Sequence, residues 1–308
     1  MTIREKILKL KAEKDAVILA HYYVPGDVQE VADFVGDSYY LSKAAAEAKE
    51  SVIVFCGVYF MGESAKMLNP YKKVIMPDLK ADCPMAHMAT VEGIEAARRK
   101  HEDLAVVCYI NSTAEIKAHS DVCVTSSNAL SVVSALPQKN IYFIPDQNLG
   151  RYISRLVPEK NFLFNDGHCH VHTSIKKHDL LKKKAELPEA KVAAHPECRE
   201  EILELSDFVG STSDIIRYVE KTDAEDFLIC TETGIFHELG RIGKGKRFHA
   251  VSGSQVCPDM KLNTLEKLLH ALETLDNELK MDEILMKKGL QPLELMLKLA
   301  GSKKNEGV

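Results

Sequence analysis

The chain carries an internal repeat, which restricts its fold more than any other feature of the sequence. The second copy lies 88 residues after the first, and the third a further 86 residues on. When the chain is aligned with itself at these shifts, apolar residues match apolar ones and polar residues match polar ones without a gap. This pattern predicts three similar units. The matching sets are His21, Tyr109 and His195; Tyr23, Asn111 and Glu197; Val28, Ile116 and Ile202; Asp33, Asp121 and Asp207; Phe34, Val122 and Phe208; and Ser38, Ser126 and Thr212.

Each unit is predicted to be a small parallel sheet flanked by helices, because strand-type apolar runs alternate with helical segments. The α/β class therefore takes the form of three pseudo-symmetric repeats around a central site. In the first unit, after a leading helix from Ile3 to Lys14, we expect strands at Ala16–Ala20, Phe34–Gly36, Val52–Cys56 and Val74–Met76, and helices at 28–33 and from Asp37–Ser38 onward.

The repeat period also predicts where the units begin and end. We place the first unit at residues 1–86, the second at 87–172 and the third at 173–261. Residues 262–308 are expected to form a helical C-terminal tail that packs back on the body, starting with the capping-box pattern Asn263–Glu266.

Three cysteines recur with the repeat. Cys83, Cys169 and Cys257 are 86 and 88 residues apart, and each follows a strand-type segment; for Cys169 this is Asn161–Phe164, which we interpret as a short buried strand. Ligands of open α/β sheets bind beyond the carboxyl ends of the strands, so three such edges facing one centre would bring the thiols together. Three thiolates suit an iron–sulfur cluster or zinc, and leave one metal position free for substrate.

Other interpretations of the cysteines remain open at this point. All three could be plain buried residues. Alternatively, His168, His170 and His172 alternate along what would be an extended segment, so a mononuclear zinc site with Cys169 is possible. Cys198 is a further, weaker candidate ligand. The remaining cysteines lie in apolar strand-type runs and are expected in the core: Cys56, Cys108, Cys123 and Cys230.

Polar side chains recur where strands of each unit end. The ends of the first strands carry groups suited to acid–base chemistry and hydrogen bonding: His21, Tyr23, Tyr109, Asn111, His195 and Glu197. Hydroxyls recur where second strands turn into helices, at Ser38, Ser126 and Thr212, and with free backbone N–H groups they could hold phosphate or carboxylate. Simple helix capping is the alternative for these three.

Composition excludes several classes of function. A formal net charge of −5 argues against a general binder of nucleic acid or of anionic membranes. No apolar run approaches the roughly 18 residues that span a bilayer, and the charged first helix is unlike a signal peptide. We therefore expect a cytoplasmic protein whose eight cysteines form no disulfides.

The motifs of the chain, taken in order, resemble those of the quinolinate synthase family over essentially its whole length. They are Ala20–Tyr23, Val35–Ser38, Asp82–Ala86, Tyr109–Ser112, Thr125–Asn128, Asp166–Cys169, Val171–His172, His195–Cys198, Val209–Thr212 and Cys257–Lys261. The resemblance implies three pseudo-symmetric domains around a 4Fe-4S cluster held by Cys83, Cys169 and Cys257. It also implies condensation of iminoaspartate with dihydroxyacetone phosphate to quinolinate, with loss of phosphate and two waters, in NAD biosynthesis.

The resemblance further implies roles for the recurring polar residues. The catalytic group is Tyr23, His21, Glu197 and Tyr109: His21 and Tyr23 would handle the triose phosphate, Glu197 is the general base, and Tyr109 lies near the open iron. The substrate-binding group is His21, Ser38, Tyr109, Asn111, Ser126, His172, His195, Glu197 and Thr212. An enzyme that produces iminoaspartate would be a functional partner.

Two departures from the family pattern concern the cysteine loops. His170 stands where relatives have proline, which alters the loop after Cys169. Met260 stands where some members have a second cysteine, so a disulfide switch with Cys257 is removed. Alternative functions are another three-cysteine iron–sulfur hydro-lyase and a non-catalytic sensor of metabolites or metals.

Overall fold

A computed structural model of the chain describes residues 1–302, so the last six residues of the predicted tail lie outside the described part. The strands are β1 (Ala16–His21), β2 (Phe34–Gly36), β3 (Val52–Cys56), β4 (Lys73–Ile75), β5 (Leu104–Tyr109), β6 (Val122–Val124), β7 (Asn140–Ile144), β8 (Asn161–Phe164), β9 (Lys191–Ala194), β10 (Phe208–Val209), β11 (Asp226–Cys230) and β12 (Arg247–Ala250).

Helices alternate with these strands and follow them at the C-terminus. They are α1 (Ile3–Glu13), α2 (Gly26–Gln29), α3 (Ser38–Glu47), α4 (Tyr59–Leu68), α5 (Val91–Lys100), α6 (Ala114–Ala118), α7 (Ala129–Ala135), α8 (Gln147–Leu156), α9 (His170–Ser174), α10 (Lys177–Glu186), α11 (Glu200–Leu203), α12 (Thr212–Lys221), α13 (Ile235–Ile242), α14 (Leu265–Thr274) and α15 (Glu283–Ser302). Short 3-10 turns lie at Pro84–His87 and Met260–Leu262.

The strands form three parallel four-stranded sheets with the same topology. Their orders are β2-β1-β3-β4, β6-β5-β7-β8 and β10-β9-β11-β12. The predicted α/β class and the three repeats are confirmed. The sheets fall inside the predicted units 1–86, 87–172 and 173–261, whose exact boundaries remain predictions.

One aspartate fixes the start of the second strand in each sheet. Its carboxylate accepts a backbone N–H from the first strand, at 2.9 Å for Asp33 and Ile18, 2.6 Å for Asp121 and Val106, and 2.8 Å for Asp207 and Val192. The N–H of each aspartate returns a bond to the carbonyl of the same residue, at 2.9–3.0 Å. From one unit to the next, the aspartate and its partner both move along the sequence by 88 and then by 86 residues. The contacts therefore reproduce the register of the sequence repeat.

A second recurring contact places the cysteine loops. In each unit, the third residue after the third strand donates its N–H to the carbonyl of the residue two positions before the cysteine. The distances are 2.7 Å for Tyr59 and Ala81, 2.8 Å for Gln147 and Gly167, and 2.9 Å for Thr233 and Gln255. Each cysteine is therefore held at the carboxyl end of its own sheet.

The C-terminal tail extends and braces the first two units. Between α14 and α15, Leu279 donates to the carbonyl of Val74 at 2.8 Å and Met76 to that of Asn277 at 3.2 Å, so this segment continues the first sheet at its β4 edge. Helix α15 then packs against α4 of the first unit and against α6, β6 and α7 of the second. Among residues 1–302, no helix combines the length and apolar character that crossing a membrane requires.

Three local predictions were wrong. The first error concerns burial: Asn161–Phe164 forms the predicted strand, β8, but not a buried one. This strand lies at a sheet edge, and its residues are half-buried or exposed. The residues after Cys169 form helix α9, not an extended segment, so the three histidines do not alternate on one strand face. The second helix is Gly26–Gln29 and not 28–33, because the chain must turn at Asp33 to bond with β1.

The cysteines predicted for the core are confirmed there, since Cys56, Cys108, Cys123 and Cys230 have no exposed surface. Cys198 is equally buried, and its thiol donates to the carbonyl of Cys230 at 3.3 Å, so it is a core residue and not a ligand.

Gly234, at the start of α13, lies where the third unit packs closely against the backbone of the first unit. Its φ of −59° and ψ of −25° suit any residue. An added Cβ, however, would lie 2.6 Å from Tyr23 Cα and 2.8 Å from the Tyr22 carbonyl oxygen, and backbone cannot move as a side chain can. We expect Gly234→Ala to lower the free energy of unfolding by about 1–3 kcal/mol, measured by urea denaturation.

Gly240 in the same helix is the matched control. No atom lies within 4 Å of a Cβ built there. Gly240→Ala should therefore leave stability unchanged or raise it by up to ~1 kcal/mol through helix propensity. Equal effects of the two substitutions would contradict the close approach of the units at Gly234.

Candidate active site

One cavity lies where strands of all three sheets end. The weaker candidate ligands His168 and Cys198 do not line it, but all thirteen residues of the predicted site do: Cys83, Cys169, Cys257, His21, Tyr23, Ser38, Tyr109, Asn111, Ser126, His172, His195, Glu197 and Thr212. The repeat thus gathers side chains that lie up to 236 residues apart (from His21 to Cys257) at one place.

Two equivalent histidines are oriented by the backbone that follows them. The N–H of Tyr23 donates to His21 Nδ1 at 3.1 Å, and the N–H of Glu197 donates to His195 Nδ1 at 3.3 Å. Because Nδ1 accepts in both rings, a neutral ring carries its proton on Nε2. In His195 this nitrogen lies 3.1 Å from Ser126 Oγ, to which it donates.

Burial keeps these two imidazoles neutral. It lowers the pKa of His21 from 6.5 to about 4, with only partial compensation by the charge of Asp37. Burial also lowers the pKa of His195, although Glu197 acts in the opposite direction. At neutral pH both rings can therefore donate a hydrogen bond without carrying charge.

Glu197 is the buried carboxylate at the centre of this group. Its Oε2 lies 2.8 Å from His172 Nδ1 and 3.4 Å from His195 Nδ1. Burial alone would raise the pKa of Glu197, but His172 and His195 together hold it below the usual range, so it is ionised at neutral pH. Its other oxygen, Oε1, is buried and has no hydrogen-bond partner in the described structure.

A chain of hydrogen bonds connects Glu197 to Tyr23. The Nδ1 atom of His172 contacts Glu197, and the Nε2 atom of the same ring lies 2.8 Å from Thr231 Oγ1. That hydroxyl is 2.7 Å from the Tyr23 hydroxyl, which is in turn 2.8 Å from Thr212 Oγ1. Burial raises the pKa of Tyr23 well above 10, so its phenol stays protonated. The chain links an ionised carboxylate to a protonated phenol.

Tyr109 and Asn111 occupy the same positions in the second unit. Burial, with the nearby charge of Glu197, raises the pKa of Tyr109 well above 10, so this phenol too remains a donor. Asn111 Oδ1 is buried without a hydrogen-bond partner in the described structure. Like Glu197 Oε1, it is a buried acceptor without a hydrogen-bond donor in the described structure, in a residue that lines the cavity. Such acceptors are typical of a site that binds a polar molecule.

The predicted hydroxyls are placed differently from one another. Ser38 and Thr212 are the first residues of α3 and α12, as expected. Ser126 lies three residues before α7 and is bonded to His195. Since Thr212 is bonded to Tyr23, only Ser38 faces the cavity at a helix start without a side-chain partner in the described structure.

Each of the three cysteines precedes a helical turn, and its N–H donates to a carboxylate. The acceptors are Asp82 for Cys83 at 2.7 Å, Asp146 for Cys169 at 3.1 Å and Glu232 for Cys257 at 3.1 Å. Unlike the five core cysteines, these three are part-exposed to the cavity, and all are free thiols. Burial raises their pKa values, that of Cys257 to about 11, so a metal must displace their protons.

The donor set fits a cluster held by three ligands. One thiol comes from each unit, and no fourth cysteine lines the cavity among residues 1–302. A second donor group overlaps the first: Cys169 Sγ, one ring nitrogen of His172 and a carboxylate oxygen of Glu197 all lie within 4.8 Å of one another. Of the residues in the zinc alternative (His168, His170, His172 and Cys169), this group contains Cys169 and His172 but neither His168 nor His170.

Sequence reasoning missed four polar residues of the site. Asp37 caps α3, accepts the Ser127 hydroxyl at 2.6 Å and lines the cavity. Thr231, Asp146 and Glu232 make the contacts described above. Asp146 and Glu232 were detectable, because both are acidic and lie 86 residues apart, in register with the repeat.

Comparison with known proteins agrees with the geometry. The family described as "Quinolinate synthetase A protein" matches residues 5–298. A quinolinate synthase of Fusobacterium nucleatum is 52% identical over 299 residues, which cover 97% of this chain and 100% of the relative. One of Clostridium perfringens is 50% identical over 301 residues, 98% of this chain and 100% of the relative.

A third relative extends the same pattern. The quinolinate synthase of Clostridioides difficile is 48% identical over 295 residues, 96% of this chain and 97% of the relative. These matches run through all three sheets and the tail helices, so they cover the whole cavity. The chain belongs to the quinolinate synthase family, and it is an enzyme.

Proposed function

We propose that this enzyme condenses iminoaspartate with dihydroxyacetone phosphate to give quinolinate, phosphate and two waters, in NAD biosynthesis. The observation that carries the proposal is the meeting, in one cavity, of three thiols, one from each unit, with the ten polar side chains that the sequence singled out. Membership of the family supports the same product. Both substrates are small acids, which suits a cavity with buried donors and unsatisfied acceptors.

The cofactor in this proposal is a 4Fe-4S cluster held by Cys83, Cys169 and Cys257. When bound, it supplies an iron without a protein ligand that acts as a Lewis acid on a substrate oxygen. The carboxylates that accept the N–H groups of the cysteines orient the three loops toward a common point. A fourth protein ligand is not needed, because the open position serves the substrate.

Proton transfers are assigned to the side chains around Glu197. Its ionised carboxylate accepts a proton from the substrate, and the hydrogen bond from His172 holds it in place. The chain through Thr231 allows Tyr23 to return a proton. Neutral His21 and protonated Tyr23 handle the triose phosphate.

Recognition of the acidic groups is assigned to uncharged donors and helix starts. Ser38, Ser126 and Thr212 lie at or near the beginnings of helices, where backbone N–H groups favour anions. Tyr109 and Asn111 line the opposite strand end and contact the substrate near the open iron. His172 and His195 complete the polar wall.

The cellular setting follows from the chemistry of the substrates. Iminoaspartate is an unstable imine, so an enzyme that produces it must act close by and is the expected functional partner. We place the reaction in the cytoplasm, and neither nucleic acid nor a membrane takes part in it.

Product analysis under anaerobic conditions tests the proposal. The brown enzyme, given iminoaspartate and dihydroxyacetone phosphate, should release quinolinate and phosphate in equal amounts and lose activity in air. Dehydration of some other hydroxy acid without quinolinate would identify a different hydro-lyase. A protein that stays colourless and without turnover after metal-free preparation and anaerobic reconstitution with iron and sulfide would remove the proposed function.

The cysteine assignments predict a sharp division among serine variants. Cys83→Ser, Cys169→Ser and Cys257→Ser should each lose the cluster, because three thiolates are the minimum that holds it. Cys56→Ser and Cys230→Ser are controls from the core and should change stability alone. Iron and sulfide content of anaerobically prepared protein provides the measurement, and equal iron in all five variants would refute the assignment.

Glu197→Gln separates acid–base chemistry from cofactor binding. The amide cannot accept the substrate proton, so turnover should fall by about 10²- to 10⁴-fold. Cluster content should remain that of the wild type, since Glu197 is not one of its ligands. A fully active Glu197→Gln enzyme would show that the base is another residue.

The lowered pKa of His21 gives the protein a defined response to acid. Its pKa is about 4 when folded and about 6.5 when unfolded. As pH falls from 6.5 to 4, the unfolded chain takes up a proton that the folded protein excludes, so stability is lost in this window, by about 3 kcal/mol in all. Urea denaturation at pH 7 and pH 4.5 measures how far the free energy of unfolding falls with acid. In His21→Asn this fall should be smaller than in the wild type by the share that His21 contributes.

The control for this experiment is His178→Asn, whose imidazole is 80% exposed. It should keep the acid sensitivity of the wild type. If His21→Asn keeps it as well, burial does not hold His21 neutral.

A further inference from the structure

We propose that Cys169, His172 and Glu197 form a second metal site, which binds one divalent ion of the zinc class in the cluster-free protein. The ion and the cluster exclude each other, because both require Cys169. This second part rests on the proposed function, whereas binding of the ion does not. The site differs from the cluster site in two of its three ligands.

The geometry of the donors carries the proposal. His172 Nδ1 lies 3.2 Å from Cys169 Sγ and 2.8 Å from Glu197 Oε2. Donors around a tetrahedral zinc ion are about 3.4–3.6 Å apart, given zinc–ligand bonds of about 2.0–2.3 Å. Each of these two pairs therefore needs to separate by only about 0.5 Å to admit an ion, and the third pair, Cys169 and Glu197, lies within 4.8 Å.

An unsatisfied oxygen points to a missing partner at this place. Glu197 is 3% exposed, and its Oε1 has no hydrogen-bond partner within the described residues. A buried carboxylate oxygen without a partner is rare and costly. A bound cation would satisfy it, either directly or by drawing the whole carboxylate onto the metal.

Outer contacts already hold two of the ligands as a metal site requires. When a metal replaces the proton on His172 Nδ1, Nε2 can carry the ring proton and donate it to Thr231 Oγ1, 2.8 Å away. The backbone N–H of Cys169 donates to Asp146 at 3.1 Å, which holds the backbone that carries the thiol. Such contacts typically account for 10- to 100-fold in metal affinity.

Charge and donor type select the ion. A thiolate and a carboxylate together balance a dication, so the occupied site is neutral, as a buried site should be. Sulfur and imidazole donors favour zinc, cobalt and copper over magnesium and calcium. Since zinc binds such ligands more tightly than ferrous iron does, it can occupy Cys169 before a cluster is assembled.

Cobalt(II) serves as the probe, because its thiolate charge-transfer band reports a Co–S bond. We expect a four-coordinate cobalt spectrum, one ion per chain and displaceable by zinc, in the full-length Cys83→Ser and Cys257→Ser proteins. These variants lack the complete cluster site but keep the second site intact. Cys169→Ser should lose the charge-transfer band, and Glu197→Gln and His172→Asn should bind cobalt at least 10-fold more weakly.

Thr231→Val is the matched test of the outer contact. It keeps all three ligands and removes only the hydroxyl at His172 Nε2, so cobalt affinity should fall about 10- to 100-fold. Loss of the band in Cys83→Ser and Cys257→Ser would show that the ion sits among the three cysteines, which overturns the proposal. A band retained in Cys169→Ser overturns it as well.

Mutual exclusion is measured by anaerobic reconstitution with iron and sulfide. Full-length wild-type protein loaded with zinc should form little cluster, whereas zinc-treated Glu197→Gln should form the normal amount. Equal cluster formation in both would refute exclusion. If the wild type forms no cluster even without zinc, the proposed function fails, while the cobalt spectra of the cysteine variants still decide the second site.

Discussion

The direction of the strands is the constraint on which the site depends. All strands within a sheet are parallel, so each unit presents its loops, helix starts and cysteine at one edge, and the three edges meet at one cavity. Contacts between units are therefore also contacts of the active site. Lys261, four residues after Cys257, bonds to Glu232 at 2.8 Å and to the carbonyl of Tyr23, which joins the third cysteine loop to the first unit.

Burial determines the charge of each group in this cavity. It keeps His21 and His195 neutral and keeps Tyr23 and Tyr109 protonated, because none of them has a partner strong enough to offset desolvation. Glu197 is the exception, since two imidazoles contact it. Glu197 thus places an ionised carboxylate beside neutral donors, which is an arrangement suited to proton abstraction from an acidic substrate.

The sequence predicted the sheets, the repeat register and the residues of the cavity, because strand ends in a repeated α/β unit have fixed consequences. It did not predict contacts that depend on how the units face each other. Thr231 follows an ordinary core strand, and nothing local marks it as the link between His172 and Tyr23. The helix at His170–Ser174 was missed because alternating histidines suggest a strand, and the exposure of Asn161–Phe164 because edge position is a tertiary property.

Divergence at equivalent positions explains how a symmetric scaffold holds an asymmetric reaction. After the first strands, one position carries Tyr23, Asn111 and Glu197 in the three units: a phenol, an amide and a carboxylate at the same distance from the strand end. The cysteine loops diverge in the same way, since the first unit has Val58 where the others have Asp146 and Glu232, and Cys83 bonds to the adjacent Asp82 instead. The fold thus repeats the positions of the side chains, and the substitutions at those positions assign different chemistry to each wall of the cavity.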